Sequence, residues 1–93
     1  MEKINMYAIY DTKSERYDTP VFMPNDVFAK RFFYKLVAEG QGQLEHFKDD
    51  FEIHQICEFN VITGEIKKLK VKSIITGKQI GKEIANNEKR NAT

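Results

Sequence analysis

Asn25-Asp26-Val27-Phe28-Ala29-Lys30-Arg31-Phe32-Phe33-Tyr34-Lys35-Leu36-Val37-Ala38-Glu39-Gly40 carries the start, the stop and one face of a helix. Asn25 is a preferred N-cap, because its side-chain oxygen can accept from an otherwise unpaired amide of the first turn. Asp26 sets a negative charge at the positive end of the helix dipole, and Pro24 precedes both. Gly40 suits the left-handed conformation that commonly ends a helix. Between these signals Phe28, Ala29, Phe32, Phe33, Leu36 and Val37 recur at helical spacing and form one apolar stripe. The opposite face presents Lys30, Arg31, Tyr34 and Lys35 with no acid among them.

On either side of this helix the apolar period changes from helical to alternating. Residues 3–11 read as a strand with Ile4, Met6, Ala8 and Tyr10 on one face and Tyr7 and Ile9 on the other. Such a strand is central, or has a second face that meets a partner. Polar residues 12–16 turn the chain, and Tyr17 to Phe22 returns as a second strand that Pro20 pushes toward a sheet edge. After the helix, residues 41–50 read as a polar loop. Phe51 to Val61 reads as a third strand, with Phe51, Ile53, Cys57 and Phe59 on one face and Glu52, His54, Ile56 and Glu58 on the other. Thr63-Gly64 makes a hairpin turn into a fourth strand, from about Glu65 to Val71. The order ββαββ predicts an α+β fold: an antiparallel sheet with one helix packed across one face. Residues 1–77 form this domain, and 78–93 a basic, polar C-terminal extension. In the extension, Lys82 to Asn86 can make a short helical turn, and the stretch beyond about Asn86 is expected to be disordered.

Composition narrows the function classes. A chain of 93 residues supports one small core, to which seven Phe and four Tyr contribute large buried areas. So small a margin makes homodimerisation an expected route to further stability. One cysteine, Cys57, excludes an intrachain disulfide and fits a reducing compartment. No stretch has the apolar length of a membrane span, and the N-terminus lacks a signal-peptide core, so a soluble intracellular protein is expected. Charge is unevenly distributed: residues 1–65 hold 7 Lys/Arg against 12 Asp/Glu, and residues 66–93 hold 8 against 2. Such asymmetry points to an anionic partner, or to a lysine-rich tail that confers solubility.

Catalytic and metal-binding patterns are missing. His46, His54 and Cys57 lack metal-ligand spacing, and no glycine pattern fits a phosphate loop. Cys57, on an apolar strand face, reads as packing, and Asp49-Asp50 as solvated loop charge. No cofactor, no metal and no enzymatic activity are therefore expected. The basic groups remain. Lys68, Lys70 and Lys72 recur at every second position, about 6.6 Å apart along an ideal strand face, where each can meet a different phosphate. Lys67, Lys78 and Lys82 support them. Arg31 and Lys35 flank Tyr34, a mixture of cations and an aromatic ring that single-strand binders use for backbone tracking and base stacking. The same residues also read as a solvated helix face and an edge strand protected from aggregation by lysines.

Met6-Tyr7-Ala8-Ile9-Tyr10-Asp11, Phe22-x-x-Asn25-Asp26, Ala29-x-Arg31-x-Phe33, Asp50-Phe51, Phe59 and Thr63-Gly64-Glu65-Ile66, in that order and spacing, resemble a known family. It is the small nonstructural DNA-binding protein of gokushoviruses, single-stranded DNA bacteriophages of the microvirus group. The resemblance spans about residues 5–77; Val21-Phe22 stands where relatives tend to have Pro-Phe, and residues 78–93 are outside it. It implies a nonstructural protein of the host bacterial cytoplasm that binds DNA and assists the shift from double-stranded replication to single-stranded progeny synthesis. The family supplies no catalytic residues. The expected partners are DNA, single-stranded in preference, a second copy of the chain, and a phage or host replication protein. The alternative is a protein–protein adaptor with little DNA affinity of its own.

Overall fold

The fold was obtained as a computed structural model that describes residues 2–91, with side chains described through Lys89. Five strands form one antiparallel sheet: β1 (Lys3–Asp11), β2 (Arg16–Tyr17), β3 (Val21–Met23), β4 (Phe51–Asn60) and β5 (Ile66–Thr76). The helices are α1 (Asp26–Glu39), α2 (Leu44–Phe47) and α3 (Gly77–Asn91), with a 3-10 turn at Lys48–Asp50. The strand order is β2-β1-β4-β5, with β3 also pairing on the β2 side of β1. β1 is thus central, and β5 is the far edge. This is the expected α+β architecture, with the second strand split in two at Asp18-Thr19-Pro20 because proline has no amide to donate to the ladder.

α1 forms where its signals place it. Asn25 accepts from the Phe28 amide at 3.2 Å, and Gly40 adopts φ 62°, ψ 43° while its amide turns back on the last carbonyls. Ala29, Phe33 and Val37 are buried against the sheet. Phe28, expected in the same stripe, is 51% exposed, whereas Tyr34, expected in solvent, packs partly against the core. The core cluster is Tyr7, Ala29, Phe33, Val37, Leu44, Ile53 and Ile80, all on the helix side of the sheet. Leu44 belongs to α2, in the segment that reads as a polar loop. One turn suffices there to lower that leucine between α1 and the sheet.

Two features depart from simple alternation. Ile56 has no partner in either neighbouring strand: Tyr7 faces Gln55 while Met6 faces Cys57. The extra residue of this bulge reverses the facing of everything after it. Phe51 and Ile53 therefore look toward the helices, but Cys57 and Phe59 join His54 and Glu52 on the opposite, helix-free face. The single apolar face expected for Phe51, Ile53, Cys57 and Phe59 is corrected accordingly. The second departure is α3. β5 continues without a loop into a helix reaching Asn91, where a short turn at 82–86 and a disordered end were expected; residues 92–93 lie outside the described residues. Thr76 and Gln79 form a capping box: the Gln79 amide donates to Thr76 Oγ1 at 3.1 Å, and the Thr76 amide donates to Gln79 Oε1 at 2.9 Å. Ile80 is 0% exposed, so the folded unit extends past residue 77.

Tyr7 ties the layers together. Its ring is fully buried, and its hydroxyl donates to Asp26 Oδ1 at 2.7 Å, joining the central strand to the first residue of α1. Lys72 on β5 reaches the other oxygen of Asp26 at 3.4 Å. Burial, reinforced by the bond to Asp26 and its charge, pushes the Tyr7 phenol up to about 12. The unfolded chain releases this proton near pH 10 and the folded chain does not, so the Tyr7 contribution is complete below pH 10 and is lost between 10 and 12. Urea titrations from pH 9 to 12 should show the stability advantage over Tyr7→Phe shrinking by about 2 kcal/mol. A constant difference across that range would contradict the buried bond.

Candidate nucleic-acid interface

On α1, residues three and four apart share a face, so Lys30 and Tyr34 align, as do Arg31 and Lys35. The core stripe fixes the rotation of the helix and turns this face toward the β5 edge. Ile75, near the end of β5, packs against the core beneath it. The strand then runs directly into α3, which returns past the same face and contributes Glu83. Lys30, Arg31, Tyr34, Lys35, Ile75 and Glu83 together line an open groove of about 290 Å³. Among the described residues, no carboxylate lies within 4.0 Å of the Lys30, Arg31 or Lys35 head groups. Three cations, one carboxylate (Glu83) and an aromatic ring thus surround a small apolar floor, a net positive lining. Such a site can hold phosphate oxygens by charge-assisted hydrogen bonds and offer a ring to a base.

The lysines of β5 are arranged differently from the expected row. Lys72 lies opposite Gln55, which lies opposite Tyr7, so it is on the helix side, where Asp26 already engages it. Lys68 lies opposite Cys57 and Met6, on the helix-free face. Between them residues 69–71 have no partner in β4, and Lys70 falls in this irregular stretch. Two-residue spacing does not put the three ammonium groups on one face, because the ladder is not regular there. Lys67 faces Glu58 across the pair, and Lys78 and Lys82 are exposed on the first turns of α3. The structure therefore gathers Arg31, Tyr34 and Lys35 into one groove and distributes the other lysines along the adjoining edge. Lys30, part of the same helix face, also belongs in the groove. Ile75 and Glu83 could not be placed there from sequence, because their position depends on how β5 leads into α3.

The helix-free face holds another group. His54 is buried and stacked on Tyr10, ring centroids 5.0 Å apart. His54 Nε2 donates to the Glu52 carboxylate at 2.6 Å, and Nδ1 pairs with the Tyr17 hydroxyl at 2.8 Å. Burial, then the neighbouring Tyr10 and Glu52, raises the Tyr17 phenol above its ordinary value. Both ring nitrogens have partners, so the histidine pins β2 to β4 across β1. A larger cleft of about 550 Å³ between the β1–β2 turn and the α1–α2 loop sets Asp11 and Asp18 against Arg16. With two carboxylates to one cation, it is poorly suited to phosphate.

Fold and surface together define a small protein with an open antiparallel sheet and a cationic groove at its helix-covered edge. Among the described residues, no three His, Cys, Asp or Glu side chains are grouped to hold a metal, and no helix is long and apolar enough to cross a membrane. The chain belongs to the phage ORF5 protein family, whose model matches residues 4–80. No curated protein and no solved structure matches it. The family match spans all of the sheet but Lys3 and all of α1, including Lys30, Arg31, Tyr34 and Lys35, and ends at Ile80.

Proposed function

We propose that this phage protein is a non-enzymatic DNA-binding protein that acts as a homodimer in the host bacterial cytoplasm, assisting single-stranded DNA synthesis during genome replication. The observation that carries the reading is the convergence of Lys30, Arg31 and Lys35 around Tyr34 beside the lysine-bearing β5 edge. The resemblance to the gokushovirus DNA-binding proteins supports it. Backbone phosphates supply the affinity: the Arg31 guanidinium can take two phosphate oxygens, and the lysines act as point charges. Single-stranded DNA is favoured because the groove is small and open at one side, admitting one backbone and a base on Tyr34 rather than a duplex. Arg31, Lys35 and Tyr34 form the primary contact, with Lys67, Lys68, Lys70, Lys78 and Lys82 along the edge. Lys72 contributes less, since a phosphate must compete with Asp26 for it.

Fluorescence anisotropy with labelled single- and double-stranded oligonucleotides at two salt concentrations tests this. Single-strand affinity should fall steeply with salt, and Arg31→Ala with Lys35→Ala should flatten the logarithmic slope by about 1.4 units, the share of two phosphates. Lys72→Ala alone should change it by less than about 0.7. Absence of binding at low salt would sink the reading. The rival, an adaptor that recruits a phage or host replication protein, has in its favour the exposed apolar groups on the helix-free face; it predicts no salt-dependent oligonucleotide binding.

A further inference from the structure

One face of an antiparallel sheet commonly meets solvent, and it is then lined with polar groups. Here the helix-free face carries polar groups, Glu52, His54, Lys68 and Ser73, but also a run of apolar ones. Ile4, Met6 and Ala8 of β1, Phe22 of β3, Cys57 and Phe59 of β4 and Ile66 of β5 share it by register. Phe22 and Phe59 meet edge to face at 5.9 Å, yet Phe22 remains 50% exposed and Ile66 66% exposed. None of these side chains is in the core cluster, which lies entirely on the other side. We propose that this face is a self-association surface, on which a second copy of the chain packs sheet to sheet. The proposal deepens the homodimer of the function above and does not require that DNA be bound.

Area and charge support a second copy as the occupant. β1, β4 and β5, with 9, 10 and 11 residues, and the short β2 and β3 beside them give, at about 3.3 Å per residue and about 4.8 Å between strands, a projected face of roughly 550 Å². With side-chain relief that approaches the roughly 800 Å² per partner of a stable interface. Two such faces can stack about 10 Å apart, as in a β-sandwich. Glu52 and Lys68 lie on this face with opposite signs, so stacking does not oppose a field of like charges. The groove side, with Lys30, Arg31 and Lys35, would repel its own copy. A dimer formed this way also leaves both grooves outward and open.

Light scattering and sedimentation equilibrium of the full chain, without DNA, are the test. At tens of micromolar the chain should approach twice its 10.9 kDa mass. Phe22→Glu and Ile66→Glu should each give monomers with unchanged far-UV circular dichroism, because both side chains are half exposed or more within one copy. Phe28→Glu, at an equally exposed position on α1, should leave the dimer intact. Should a charged variant fail to fold, Ile66→Thr keeps strand propensity and should weaken association about tenfold. A monomeric wild-type chain, or a dimer that survives both sheet-face variants, would overturn the proposal. So would a monomer whose oligonucleotide affinity drops with Phe22→Glu, since the face would then serve DNA bases. As the mass measurement contains no DNA, its failure is distinguishable from failure of DNA binding.

Discussion

Gly77→Ala should be among the most damaging single-methyl changes in this chain, lowering stability by about 3 kcal/mol, the upper range for overpacking. A β-carbon at Gly77 would overlap the Lys48 carbonyl oxygen and lie 3.3 Å from that of Phe51. Both are backbone atoms, so no rotamer change relieves the clash; α3 or the 3-10 turn must move. The residue has an ordinary φ, and the demand for glycine is one of space alone. Gly81, one turn on, makes the comparison. Its added β-carbon would meet the Lys48 side chain at 2.8 Å, and that flexible stem can swing aside. Gly81→Ala should therefore be near neutral, or stabilising by up to about 1 kcal/mol through helix propensity. Urea midpoints of the two variants measure the contrast, and equal midpoints would mean that α3 does not lie against the turn.

Ile80→Ala should cost about 2 to 5 kcal/mol, as expected for emptying a fully buried aliphatic site. Ile84, which packs only at the margin of the core, should cost clearly less. The pair distinguishes a C-terminal helix that is part of the fold from a basic tail that merely follows it. If α3 is integral, Ile80→Ala lowers the melting temperature of the whole cooperative transition, and tyrosine fluorescence and far-UV signals shift together. If Ile80→Ala is silent, the Glu83 side of the cationic groove is lost as well.

The parts of this fold that were legible from sequence are those governed by local chemistry. Asn25, Asp26 and Gly40 bound α1 because capping depends on neighbouring residues only. The two-faced character of β1 was legible because it alternates without interruption. Ile56 shows what was not. Phe51, Ile53, Cys57 and Phe59 are all compatible with burial, so nothing in their order reveals that one extra residue divides them between opposite faces. The irregular 69–71 stretch defeated the lysine row for the same reason: side-chain spacing along a strand predicts geometry only where the ladder is regular. Leu44 was missed because a single apolar residue in a polar segment has no period. The Thr76-Gly77-Lys78-Gln79 capping box could have been read as a helix start; the blurred pattern after Ser73 concealed it. At the site, the grouping of Arg31, Tyr34 and Lys35 was available from helical spacing alone. The groove was not, since β5 and α3 supply its other wall through contacts distant in sequence.

The direct passage from β5 into α3 also limits how the gene can change. Thr76 is the last residue of the strand and Gly77 the first of the helix, so no slack separates them. One codon inserted there would turn everything downstream by about 100° and carry Ile80 from the core toward solvent. One codon deleted would do the same in the opposite sense. The hairpin between Asn60 and Ile66 has no such constraint, since its exposed turn can lengthen without rotating either strand. Length variation among natural versions of this chain is therefore expected at that hairpin and beyond Ile80, and not at the strand–helix junction.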